Sequence, residues 1–117
     1  MVMSAPSMPD DLQIVQPDSS LPKELAAFFG KWEGVILTGG GIQFFLIVEK
    51  IDEEKASLYT WRSDSGWIRY EGTVTKERGK YKIWFRGRFG VNEMTLRGNN
   101  LDLYVPPATT ITLRRVS

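Results

Sequence analysis

The sequence contains neither cysteine nor histidine. Without cysteine, the chain can form no disulfide, no zinc finger and no thiolate nucleophile. Without histidine, it lacks the commonest metal ligand, the usual proximal ligand of haem and the commonest general base. We therefore expect no haem, no metal and no other cofactor. Any acid–base chemistry would have to come from Asp, Glu, Lys or Tyr.

Long hydrophobic runs are also missing. Apolar runs such as Phe44–Val48 are far shorter than the roughly 20 residues that a membrane-spanning helix needs. Residues 1–20 show no basic stretch followed by an apolar one, so no signal peptide is visible. These features predict a chain without a membrane span, located in the cytoplasm.

Charge is nearly balanced over the whole chain but is distributed unevenly. The net charge is +1, yet residues 1–61 carry four basic and nine acidic side chains, whereas residues 62–117 carry eleven and five. Solvated faces of opposite sign are the favoured interpretation. Head-to-tail association of two copies, or an anionic partner on the basic side, is the alternative.

The length of 117 residues fits one domain with a leading arm. Residues 1–20 are rich in Pro, Ser and Asp and predict a flexible N-terminal arm, which Leu12, Ile14 and Val15 could pin to a surface. Residues 21–117 then form the folded domain.

The segment Ser20–Phe29 is typical of a short helix. Ser20 can cap its N-terminus, Leu25 and Phe28 recur on one face, and Gly30 ends it. We expect the apolar face of this helix to close one end of the domain.

From Trp32 onward the hydrophobic period is two, which predicts strands separated by turns rich in Gly, Asn, Asp or Pro. The predicted strands cover about 32–38, 42–51, 56–62, 67–75, 80–87, 91–97, 101–105 and 109–116. Short connections leave no room for crossover helices, so neighbouring strands should pair antiparallel. Because an open sheet would expose two edges, the sequence predicts an all-β fold, a single eight-stranded up-and-down β-barrel.

Alternation along the strands predicts which side chains face inward, although both faces of the second strand are apolar and remain undecided. The residues expected to face inward are Tyr59, Trp61, Ile68, Tyr70, Tyr81, Ile83, Phe85, Leu101, Leu103, Val105, Ile111, Leu113 and Arg115.

A Gly-X-Trp triplet, Gly30-Lys31-Trp32, follows the helix, and an arginine pair, Arg114-Arg115, ends the last strand. An aromatic face attracts a guanidinium whose stem packs on apolar surface, so such a pair can join the first strand to the eighth. In these features the chain resembles the lipocalin-like (calycin) family. The resemblance implies that Gly30, Trp32 and Arg115, which strand parity favours over Arg114, close the base of the barrel.

The chain is shorter than secreted lipocalins, has shorter turns and lacks their disulfides. It is more similar to small bacterial lipocalin-like domains of unknown function. Haem-binding barrels of this general type use a histidine that is missing here, so the resemblance implies no haem.

Aromatic side chains are dense for so short a barrel. They either fill the interior or line a cavity for a small hydrophobic or amphipathic ligand, with Tyr hydroxyls orienting it and Arg62 or Arg69 pairing with a carboxylate. The candidate ligand-binding residues are Tyr59, Trp61, Arg69, Tyr70, Tyr81, Phe85 and Tyr104. We favour non-catalytic binding. The alternatives are a filled barrel that binds a partner or forms a homodimer through its outer wall, and an isomerase- or cyclase-type enzyme.

Three further patterns suggest other chemistry. Gly39–Gly41 lacks the Lys-Ser/Thr of a phosphate loop and fits a hairpin turn, at the end where a ligand would gain access. Residues 76–89 interleave basic and aromatic side chains, but their period fits a hairpin better than a nucleic-acid surface. Glu49, Glu71 and Glu93 lie within strands, where an inward carboxylate paired with an arginine could be catalytic or structural.

Overall fold

A computed structural model describes residues 6–36 and 41–116. Gly39 and Gly40, from the predicted glycine turn, lie outside these residues. One helix precedes eight strands: α1 (Lys23–Ala26), β1 (Gly30–Ile36), β2 (Ile42–Ile51), β3 (Lys55–Arg62), β4 (Gly66–Glu77), β5 (Lys80–Gly87), β6 (Gly90–Arg97), β7 (Asn100–Val105) and β8 (Thr109–Arg115). Each strand pairs antiparallel with the next, and β1 pairs with β8. The predicted closed, eight-stranded up-and-down barrel is confirmed.

The turns explain why local sequence was enough to define the strands. Arg78 and Gly79 join β4 to β5 and have φ angles of 53° and 79°. Two consecutive residues at positive φ are typical of a tight hairpin turn that matches strand twist, and glycine adopts this conformation at little cost.

The connections alternate between two ends of the barrel. We call the end that holds residues 21–29 and the turns after β2, β4 and β6 the base. The end with the turns after β3, β5 and β7 is the mouth. At the base, Leu25, Phe28 and Trp32 are fully buried and join the hydrophobic cluster of the interior. This burial is what holds the helical segment in place.

The predicted helix over Ser20–Phe29 is much shorter in the structure, because α1 has only four residues. Ser20 does not cap it. The backbone N–H and hydroxyl of Ser20 instead donate to the carboxylate of Asp18, at 2.9 and 2.7 Å, which forms a local turn. Pro22 occupies the N-cap position without a side-chain hydrogen bond. Within the described ranges, no helix has the length and apolar character needed to cross a membrane.

Arg115 lies over Trp32 at the seam between β1 and β8. Its guanidinium carbon is 4.3 Å from the ring centroid of Trp32, and it donates to the carbonyl oxygens of Phe29 and Ala27 at 2.8 and 2.5 Å. Arg114 points away and pairs with Glu33 at 3.0 Å. One arginine therefore ties three parts of the base together.

The N-terminal arm runs across the outer face of β2, β3 and β4. Trp67 Nε1 donates to the Ser7 carbonyl at 2.6 Å, and the backbone N–H of Val15 donates to the carbonyl oxygen of Glu49 at 2.8 Å. On the outer face of β2, Phe45 and Ile47 are buried without joining the interior cluster. Both faces of β2 are apolar because one lines the interior and the other lies on the side that carries the arm.

The predicted inward orientation of Tyr59 and Trp61 is wrong. Both lie on the outer face of β3, where Tyr59 packs edge-on against Trp67 and Trp61 packs against Phe45. The interior is filled from the other parity of β3, by residues such as Leu58. Aromatic residues packed on the outer wall, one buried and one partly buried, have the same alternation in the sequence as an inward pair.

Candidate functional site

A cavity of about 310 Å³ opens at the mouth of the barrel. Every strand contributes to its wall, and most of the lining is apolar. Its lining residues are Ile36, Ile42, Phe44, Thr60, Arg62, Ser65, Ile68, Tyr70, Phe85, Arg88, Phe89, Asn92, Leu103, Val105, Pro106, Pro107, Thr109 and Ile111. The volume lies at the lower end of the range for small-molecule sites, about 300–1,000 Å³.

The floor of the cavity is the packed half of the barrel. Leu46, Leu58, Ile83, Met94 and Leu113 are fully buried between the cavity and the base. Their side chains belong to one hydrophobic cluster and exclude water from this half of the barrel. The interior is therefore filled toward the base and hollow toward the mouth.

The pairing of β4 with β5 ends before it reaches the mouth. It runs from the turn up to Thr73 opposite Trp84. The residues of β5 beyond Trp84 pair with β6 on one side and have no partner on β4. The rings of Tyr70 and Phe85 lie 4.9 Å apart on the inner side of this gap. Two rings in contact seal an opening that the backbone leaves.

Of the seven candidate ligand-binding residues, Tyr70 and Phe85 line the cavity. Tyr81 faces inward but lies at the base, where its ring packs on the core and the ammonium of Lys76 lies 5.2 Å from its centroid. Tyr104 lies on the outer face, and its hydroxyl donates to the carbonyl oxygen of Pro107. Tyr104 and Tyr81 therefore do not reach the cavity.

Arg69 and Tyr59 lie on the outer wall beside the arm. The Arg69 guanidinium carbon is 5.4 Å from the ring centroid of Tyr59. Burial, and secondarily the nearby carboxylate of Asp11, raises the pKa of Tyr59 to about 12. Arg69 and Tyr59 therefore belong to the contact between arm and wall. Trp61, which packs against Phe45 on the same outer face, does not line the mouth cavity either.

Several cavity residues were not singled out from the sequence. Asn92 alternates with the buried Met94 on β6, so its parity was a usable signal for an inward polar residue. Arg62, by contrast, was considered from the sequence as a partner for a ligand carboxylate, and it does line the cavity, on the same inner face of β3 as Thr60. Arg88 lies in a turn, where no alternation exists to predict its direction.

The cavity lining is positive. It contains Arg62 and Arg88 but neither Asp nor Glu. Arg62 pairs with Asp64 in the adjacent turn, with Nε to Oδ1 at 3.2 Å. Among the described residues, no carboxylate lies within 4.0 Å of Arg88.

The carboxylates considered for catalysis lie elsewhere. Glu71 and Glu93 are on the outer wall, where they pair with Lys55 at 3.3 Å and Lys82 at 2.9 Å. Glu49 is also outside the cavity, beneath the arm.

Asn92 places an amide in the cavity wall with an unpaired oxygen. The residue is 8% exposed, and within the described part of the chain its Oδ1 accepts no hydrogen bond. Its amide lies against Gly87, where an added Cβ would come within 2.7 Å of Nδ2. Because a buried acceptor without a donor is costly, this atom favours a ligand or water that donates to it.

A second polar cluster surrounds Glu49, which is 1% exposed. Its carboxylate accepts from the hydroxyl of Ser57 at 2.6 Å, the backbone N–H of Gln13 at 2.9 Å and Arg69 at 2.5 Å. Burial alone would raise the pKa of Glu49, but the hydrogen bonds and the charge of Arg69 outweigh it and lower that pKa. The cluster fixes the arm to the wall.

No family model, curated protein or solved structure matches this chain. The geometry of the chain itself is therefore the basis for any proposal about its function.

Proposed function

We propose that this protein is a lipocalin-like barrel that binds a small hydrophobic or amphipathic molecule at its mouth without transforming it. The observation that carries the proposal is the cavity of about 310 Å³, with mostly apolar walls, above a packed floor. An apolar ligand gains about 25 cal/mol for each Å² of its surface removed from water, less the cost of its ordering.

The arrangement of Trp32 and Arg115 supports the lipocalin-like assignment. In that family an arginine near the end of the last strand packs over the tryptophan of the first, at the closed end of the barrel. Here the pair lies at the base, opposite the cavity. A ligand would therefore approach from the mouth.

The positions of the carboxylates favour binding over isomerase- or cyclase-type catalysis. None of Glu49, Glu71 and Glu93 lines the mouth cavity; Glu49 and Glu71 line a separate groove beside the arm. All three lie on the outer wall, and Glu49 is already committed to Ser57, Gln13 and Arg69.

The proposal predicts that filling the cavity abolishes ligand uptake. Val105 lines the cavity, whereas its neighbour Tyr104 lies on the outer face. Val105→Trp should weaken binding of the neutral fluorescent probe N-phenyl-1-naphthylamine by about tenfold or more, which corresponds to about 1.4 kcal/mol. Probe fluorescence in a titration measures this.

Tyr104→Trp is the matched control and should bind as the unchanged protein does. Urea unfolding of both variants establishes that they are folded. Equal binding by the two variants, or no binding by the unchanged protein, would contradict the proposal.

A further inference from the structure

We infer that the ligand is an organic anion, with its apolar body in the cavity and its acidic group beside Arg62 and Arg88. This inference rests on the proposed function and specifies the ligand class for the same site. It follows from three observations: the charge of the lining, the state of Arg62 and the order of polar residues along the inner wall.

The lining carries two guanidinium groups and no carboxylate. Asp64 lies next to the mouth and offsets part of the charge of Arg62, but it is not among the lining residues. Arg88 has no acidic partner within 4.0 Å in the described ranges. An ammonium group at the mouth would meet two like charges, whereas a carboxylate would meet two cations.

Arg62 retains hydrogen-bonding capacity despite its pair with Asp64. Its side chain is 27% exposed, and its Nε is buried without a hydrogen-bond acceptor among the described residues. Its Nη2 donates to Asp64 Oδ2 at 3.2 Å, whereas Nε lies 3.2 Å from Asp64 Oδ1 without forming a hydrogen bond. A partly desolvated guanidinium binds an oxyanion more strongly than a fully hydrated one does, because water screens it less.

On β3 and β6, the polarity of the inward-facing residues falls from the mouth toward the floor. Arg62 ends β3, and Thr60 is the next inward-facing residue below it. On β6, Asn92 with its unpaired oxygen lies near the mouth, and Met94, the next inward-facing residue toward the floor, is apolar. A ligand with one polar end and one apolar end matches the order on these two strands with its polar end at the mouth.

Three compounds with the same tail separate the charge of the head group from apolar burial. We expect octanoate to bind about tenfold more tightly than 1-octanol, because its carboxylate gains one charge-assisted hydrogen bond that the alcohol lacks. Octylammonium should bind more weakly than either. Displacement of N-phenyl-1-naphthylamine measures all three. The preference for octanoate should shrink as salt rises from low to physiological concentration, since salt screens the mouth.

Arg88→Gln and Arg62→Gln should each remove most of the preference for octanoate and leave 1-octanol unchanged. Arg86→Gln is the matched control, because Arg86 is an exposed cation on the outer parity of β5 and does not line the cavity. This variant should keep the preference. Retained binding of the neutral probe shows that each variant is folded.

The failures of the two proposals are distinguishable. If the probe and 1-octanol bind but octanoate shows no advantage, the anion inference is wrong and the binding function stands. An advantage lost equally in Arg86→Gln would also overturn it, since a diffuse surface charge would then be the cause. If neither the probe nor 1-octanol binds, the proposed function itself fails, and the anion inference falls with it.

Discussion

Glu49 is a carboxylate buried on the outer wall, beneath the N-terminal arm. Because its folded-state pKa lies below the usual value of 4.5, the unfolded chain binds the proton more tightly than the folded chain. The stabilisation is therefore complete above about pH 4.5 and is lost as the pH falls through the folded-state pKa. We predict that Glu49→Gln lowers the free energy of unfolding at pH 7 by about 1–2 kcal/mol, a value reduced by the exposure of Arg69.

Urea unfolding at pH 7 and pH 3.5 measures this, and the variant should lose less stability on acidification. Glu71→Gln is the control, since Glu71 is 71% exposed and pairs with Lys55 on the surface. It should change stability by less than about 1 kcal/mol. Equal effects of the two substitutions would show that the Glu49 network does not stabilise the fold.

At the scale of elements, the N-terminal arm acts as part of the wall although it has no regular secondary structure. It contacts β2 and β4 through Gln13, Val15 and Ser7. Removal of residues 1–16 should lower the free energy of unfolding by at least about 2 kcal/mol, because large apolar side chains on the outer wall become exposed. The exposed patch should also promote self-association. Urea unfolding and sedimentation velocity measure the two effects.

A shorter deletion, of residues 1–5, keeps all these contacts and is the control. It should leave both stability and sedimentation unchanged. If the longer deletion behaves the same way, the arm is not a structural part of the barrel.

At the scale of the whole molecule, the barrel closes where β1 meets β8. Arg115 contacts Trp32, Phe29 and Ala27 there, so it joins the last strand to the first and to the base segment. We predict that Arg115→Lys lowers the free energy of unfolding by about 1–2 kcal/mol, since lysine keeps the charge but lacks the planar fork. The urea midpoint measures the loss.

Arg114→Lys changes the neighbouring arginine, which pairs with Glu33 on the surface, and should have little effect. A larger loss in Arg114→Lys than in Arg115→Lys would contradict the role of Arg115 in closure.

The predictability of the candidate site differs from residue to residue. Tyr70 and Phe85 could be placed in the cavity because their strands have one apolar and one polar face. Tyr59 and Trp61 could not, because the arm lies on their outer face and both parities look buried. The direction of the Arg88 side chain could not be predicted from strand alternation, because Arg88 lies in the turn between β5 and β6.

The sequence by itself determined the eight strands, their order and the closure of the barrel. These depend on local period and turn chemistry, and the predicted strands match the observed ones to within two residues at each end. Only the tertiary structure decided which faces of β2 and β3 are inside, how far the core fills the barrel and which charges surround its mouth. Those features depend on contacts between residues far apart in the chain, such as Glu49 with Gln13, which no local pattern records.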